Sequence, residues 1–105
     1  MLTQDAVIET VRNYAHNIEA HGVRLYAVFL YGSFAKGTQH EYSDIDVALV
    51  ADEFTGFAFN DCKLIPYMGF KSPYTRIETK TYPTKYFLEG DPFIEEITKT
   101  GIKII

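Results

Sequence analysis

Asp44 and Asp46 stand two residues apart in the apolar run Ile45, Val47, Ala48, Leu49 and Val50, with ten residues between Asp44 and the pair Gly32-Ser33. Residues two apart in a strand project from one face at a spacing of roughly 7 Å, so the sequence sets two like charges side by side on a hydrophobic segment. At an effective dielectric of about 20 their repulsion is about 2 kcal/mol. A hard divalent cation offsets it, because Mg²⁺ and Mn²⁺ take carboxylate oxygens together with substrate phosphates and water.

Phosphates need a cradle, and Leu30-Tyr31-Gly32-Ser33-Phe34-Ala35-Lys36-Gly37 supplies the residue types for one. Glycine lets the backbone turn tightly and approach an anion, a short helix beginning near Ser33 aims free amides at it, and the Ser33 hydroxyl adds a donor. Lys36 inside this turn either reaches a phosphate or is a solvated surface lysine. Taken singly, Asp-x-Asp is a surface pair and Gly-Ser a turn; the combination is what points to a metal-dependent nucleotide site. A Walker A loop is excluded, since Gly37 is followed by Thr38 and Gln39 where that loop needs Lys and then Ser or Thr.

With Gly32-Ser33 followed by Ser43-Asp44-Ile45-Asp46, the chain resembles the nucleotidyltransferases of the DNA polymerase beta superfamily, whose motif reads Gly-Ser, a helix, then Ser-Asp-x-Asp. It is most similar to the minimal nucleotidyltransferases of prokaryotes, well from about Val23 to Val50 and in general layout elsewhere. The resemblance implies that Gly32 and Ser33 contact a triphosphate and that Asp44 and Asp46 bind two Mg²⁺ ions, with ATP as substrate. It also implies a third carboxylate on a later strand, as metal ligand or general base. Glu78 is the candidate, although the family more often has aspartate there. Its segment, Tyr74 to Tyr82, is β-branched and aromatic like a strand, and its alternating Arg76, Glu78 and Lys80 equally suit one solvated strand face. Small nucleotidyltransferases of this kind are often paired with a HEPN-type toxin that some of them AMPylate, which makes a protein partner the expected acceptor and the chain an antitoxin.

The elements that must position these groups follow from periodicity. Thr3 to about His21 reads as an amphipathic helix with Ala6, Val7, Val11, Tyr14, Ala15 and Ile18 on one stripe and Gly22 as the stop. Val23 to Tyr31 is a strand, Ser33 to Gly37 a short helix and Tyr42 to Ala51 a second strand. Asp52 to Lys71 is rich in aromatics, which core packing or a loop folded on the domain accounts for better than stacking on a base or contact with a partner. After the Glu78 strand come a helix over Thr84 to Leu88, a second opened by Asp91-Pro92, and a final edge strand from Ile102. Strands interspersed with helices give an α/β (α+β) fold with a mixed sheet flanked by helices.

At 105 residues the expectation is a single domain with a real core and no separate acceptor-binding domain, so the acceptor surface belongs to a partner or a second copy of the chain. No apolar run approaches the ~20 residues of a membrane span. The first residues lack a signal-peptide pattern and Cys62 is alone, which together suit a reducing cytoplasm. The net charge of −4 and the scattered placement of the ten Lys and Arg residues disfavour a nucleic-acid primer. Two other functions remain open at this level: a module that neutralises its partner by contact alone, and nucleotidyl transfer to a small molecule.

Overall fold

In the computed structural model, which describes residues 2–105, the Thr3 hydroxyl accepts the Ala6 amide at 3.1 Å and opens α1 (Gln4–Ala20). The stripe Val7, Val11, Tyr14, Ala15 and Ile18 is buried, as its spacing requires. Ala6, expected on that stripe, is exposed; at 3.6 residues per turn it lies about a third of a turn from the stripe's centre. The chain then forms β1 (Leu25–Tyr31), α2 (Ser33–Lys36), β2 (Ile45–Ala51), α3 (Ala58–Asp61), β3 (Ile77–Tyr82), α4 (Thr84–Glu89), α5 (Pro92–Thr100) and β4 (Ile102–Lys103).

The four strands make one mixed sheet in the order β3-β2-β1-β4, with β1 antiparallel to both β2 and β4 and β2 parallel to β3. Alternate side chains serve two cores. Val28, Leu30, Ile45, Val47 and Leu49 pack against α1 and Phe34 of α2. Ala27, Phe29, Ala48, Val50 and Tyr82 pack against Phe87 of α4 and Ile94 and Ile97 of α5. Because β2 is covered on both faces, its sequence reads as a nearly continuous apolar run, and Asp46 is the conspicuous polar interruption.

The parallel β2–β3 pair requires a crossover, and residues 52–76 provide it with short turns rather than a long helix. Its nail is Asp61, buried at 1% exposure, whose carboxylate accepts the Thr55 and Gly56 amides at 2.8 and 2.9 Å and the Thr55 and Thr81 hydroxyls at 3.0 and 2.6 Å. Burial works to raise this carboxyl, and the hydrogen bonds outweigh it and hold the group below its ordinary value. The aromatics of this segment depart from the packing expected of them. Phe54 is buried, but Phe57, Phe59, Tyr67 and Phe70 are mostly exposed, since the short turns leave them no second layer to pack on.

Asp91 accepts the Ile94 amide at 2.7 Å and Pro92 occupies the first position of α5, the cap the sequence indicates. Ile94 and Ile97 of this helix are buried, whereas Phe93 is half exposed and leans over the sheet toward Tyr31 and Lys80. Among the described residues no helix is long and apolar enough to cross a membrane.

Candidate active site

Strand register assembles the site. Tyr31 at the end of β1 pairs with Asp46 of β2, and Asp46 pairs with Glu78 of β3. Side chains on one rung share a face, and here it is the face of α4 and α5, where Ala48, Val50 and Tyr82 pack at alternate positions along the same strands. The third carboxylate suggested by the sequence is therefore the strand neighbour of Asp46.

Gly32 follows Tyr31 with φ 75° and ψ −153°, a conformation essentially restricted to glycine. The missing side chain matters as well: a Cβ there would stand 3.1 Å from Asp46 Cγ and would collide with Oδ2. The Asp46 carboxylate thus lies directly on the glycine turn. Ser33, the first residue of α2, takes the Thr38 amide on its carbonyl at 3.0 Å, and Gly37 closes the turn in the left-handed region. Fully buried Phe34 anchors α2, and Gln4 Nε2 donates to the Phe34 and Ala35 carbonyls at 2.8 and 3.3 Å, tying the turn to α1.

Asp44 differs from the sequence expectation in one respect. The second strand starts at Ile45 rather than Tyr42, so Asp44 is an exposed residue between the turn at Glu41-Tyr42 and the strand, and not a strand residue. The turn wins because its polar groups find partners outside the sheet: Ser43 Oγ accepts the His40 amide at 2.8 Å, the Ser43 amide donates to the His40 carbonyl at 3.1 Å, and Arg76 Nε donates to the Ser43 carbonyl at 3.1 Å. Arg76 likewise sits in a one-turn 3₁₀ helix, Tyr74–Arg76, before β3. The alternating strand face of Arg76, Glu78 and Lys80 is accordingly reduced to Glu78 and Lys80.

The surrounding negative charges are felt at Asp46 and at Tyr31. Burial first, then Glu78, then Asp44 push the Asp46 carboxyl above its ordinary value. Tyr31, which the sequence did not single out, is half buried; burial, then Asp46 and Glu78, push its hydroxyl up to about 12. Only its place as the last residue before Gly32 could have signalled it.

Lys36 is exposed, with Nζ 3.5 Å from Oε1 of Glu96 on α5. Together with Tyr31, Gly32, Phe93 and Glu96 it lines a cavity of about 210 Å³, and a second of about 400 Å³ is lined by Tyr31, Glu78, Thr79 and Lys80. Tyr31 is thus common to two hollows on the carboxylate face. A cavity of about 440 Å³ lined by Tyr14, Tyr67, Met68 and Thr79 includes neither Gly32, Lys36 nor any of the three candidate carboxylates.

The donor set suits Mg²⁺: hard carboxylate oxygens, with Asp46 disfavoured as a bare charge, beside a glycine turn. Among the described residues no three His, Cys, Asp or Glu side chains form a ready-made cage for an ion. Mg²⁺ commonly takes one or two carboxylates and completes its shell with water and substrate phosphates, so the arrangement fits.

A model of the nucleotidyltransferase domain matches residues 19–103, a span that includes Gly32, Ser33, Asp44, Asp46 and Glu78. The chain belongs to the nucleotidyltransferase domain family. Two solved structures share the nucleotidyltransferase fold. One is a chain of the crystal structure of a toxin–antitoxin with AMP-PNP, at 20% identity and TM-score 0.60, covering 90% of this chain and 72% of that one. The other is a chain of the toxin–antitoxin MntA-HpeT in a mutant with two aspartates, two positions apart, changed to glutamate, at 18% identity and TM-score 0.56, covering 99% and 73%. No curated protein matches.

Proposed function

We propose that this nucleotidyltransferase transfers AMP from ATP to a hydroxyl of a protein partner, with Mg²⁺, and serves as the antitoxin of a toxin–antitoxin pair in the cytoplasm. The observation that carries the reading is the rung Tyr31–Asp46–Glu78 laid against Gly32: the charged group most in need of a cation adjoins the turn most able to accept phosphate. Two similar folds come from toxin–antitoxin structures, one of them with AMP-PNP, which supports a nucleotide and a protein partner. A HEPN-type toxin as that partner follows from the resemblance to minimal nucleotidyltransferases.

Asp44, Asp46 and Glu78 would hold two Mg²⁺ ions, which when bound neutralise charge on the phosphates. Gly32 and Ser33 orient the β- and γ-phosphates, and Lys36 exchanges its exposed pairing with Glu96 for a phosphate oxygen. The attacking hydroxyl forms a bond to the α-phosphorus as the bond to pyrophosphate breaks. Its proton passes to the Glu78 carboxylate where that group serves as general base rather than as a ligand of the second ion; the carboxylate is solvent-exposed. The Tyr31 hydroxyl, protonated at neutral pH like any tyrosine and pushed further up to about 12, is a donor available to an incoming group.

The test is incubation of the chain with its toxin partner and ATP labelled at the α-phosphate. The account expects label and the mass of one AMP on the partner, with release of pyrophosphate, abolished by Asp46→Asn. Neutralisation of the partner with no transfer would instead make the chain a contact-only module.

A further inference from the structure

Arg76 reaches back from the turn before β3 to the segment that delivers Asp44. Its Nε donates to the Ser43 carbonyl at 3.1 Å, and its Nη2 donates to the Glu41 carbonyl at 3.0 Å and also to that of Ser43. The guanidinium lies 5.9 Å from the centre of the Phe34 ring, the fully buried anchor of α2. One side chain therefore joins the three segments that carry the candidate site: the Asp44 turn, the glycine-turn helix and the strand of Glu78.

We propose that Arg76 is a positioning residue that sets the Asp44 carboxylate against Asp46 and Glu78 for binding of the metal–nucleotide complex; this rests on the nucleotidyltransferase reading above. Asp44 is bounded on one side by Ile45, fixed by its pairing with Ile77, and on the other by Ser43, whose carbonyl Arg76 holds. Both constraints arise from consecutive residues, Arg76 and Ile77, just ahead of Glu78. A shift of β3 would therefore carry the Asp44 turn with it, and the carboxylates keep their spacing.

The choice of acceptors matters. Arg76 spends its donors on neutral carbonyls, and neither of the two ion pairs found among the described residues involves Asp44. The cation thus holds the turn without neutralising the carboxylate it positions. A guanidinium suits this, since its planar fork serves two carbonyls in fixed directions while its charge lies 5.9 Å from the centre of the Phe34 ring; lysine keeps a donor but has no such fork.

The experiment compares the unmodified chain with Arg76→Met and Arg76→Lys by two readouts, with Arg12→Met as the surface control. Backbone hydrogen exchange without nucleotide is expected to be at least 10-fold faster at Ser43, whose amide donates to the His40 carbonyl, in Arg76→Met, with α1 and the β1–β2 pairs unchanged. The Mg²⁺ concentration that half-saturates ATP binding is expected to rise about 10- to 100-fold, the usual effect of removing a residue that orients a metal ligand, with partial recovery in Arg76→Lys. Faster exchange with an unaltered Mg²⁺ requirement would overturn the proposal, reducing Arg76 to a loop staple, and so would unaltered exchange. Absence of any ATP binding by the unmodified chain would refute the nucleotide reading as well, and the exchange measurement would still show whether Arg76 holds the turn.

Discussion

Asp46→Asn should make the nucleotide-free protein more stable at neutral pH while abolishing its metal-dependent function. Asp46 is partly buried and faces Glu78 on the neighbouring strand and Asp44 at the strand entrance, and its carboxyl stands above the ordinary value for that reason. Adjacent strands lie about 4.8 Å apart, so charges on one rung are about 5–6 Å apart and repel by about 1–3 kcal/mol at effective dielectrics between about 80 and 20. Asp46 is substantially solvated and Glu78 is exposed, so the lower end applies, and removing one charge gains about 1 kcal/mol. For a chain of this size that is a rise of about 4–8 °C in Tm. The sign follows from the raised value. The folded state takes up this proton more readily than the unfolded one, so the contribution is fully present below the unfolded pKa and is lost as pH rises through the folded pKa. Thermal unfolding followed by circular dichroism from about pH 4 to pH 8 should show the variant's advantage largest at the alkaline end and shrinking toward the ordinary carboxylate range. An advantage equal at both ends, or a variant less stable than the unmodified chain at neutral pH, would refute the electrostatic reasoning.

Other outcomes follow from single contacts. Gly32→Ala should lower stability by about 1–3 kcal/mol through its backbone conformation alone and should displace Asp46, so Mg²⁺-dependent ATP binding is lost by calorimetry even where the chain stays folded. Lys36→Ala should leave Tm nearly unchanged, since its ion pair with Glu96 is about half exposed and worth under about 1 kcal/mol, yet weaken ATP binding about 10-fold. Asp61→Ala should destabilise by about 3 kcal/mol or more, because it strands the Thr55 and Gly56 amides and the Thr81 hydroxyl; denaturant titration checks this. The Asp61 carboxyl is held below its ordinary value, so this contribution is present above the unfolded pKa and disappears as pH falls through the folded one.

The sequence carried the parts of this site that depend on local rules. A strand buried on both faces with one aspartate in it, a glycine that nothing else can replace and a capped helix at each end are legible from residue type and spacing. The pairing of Glu78 with Asp46 is a matter of register between strands separated by a long crossover, which the sequence could suggest only through resemblance. Tyr31 is not marked by the sequence, and Arg76 reads there as one residue of a solvated strand face, for the same reason: their importance comes from neighbours remote in sequence, the charges across the sheet for Tyr31, and the Ser43 and Glu41 carbonyls for Arg76. The placement of Asp44 ahead of the strand rather than in it also reflects that clamp. The exposed aromatics between Phe57 and Phe70 show the converse: hydrophobic content alone did not say which rings find a layer to pack on.

The most direct measurement is calorimetric titration of ATP into the chain, with and without Mg²⁺, beside the double variant Asp44→Asn, Asp46→Asn. The account predicts saturable binding that requires Mg²⁺ and disappears in the variant while the fold is retained. Binding that is indifferent to Mg²⁺ and to both aspartates, or no binding at millimolar ATP, would contradict it.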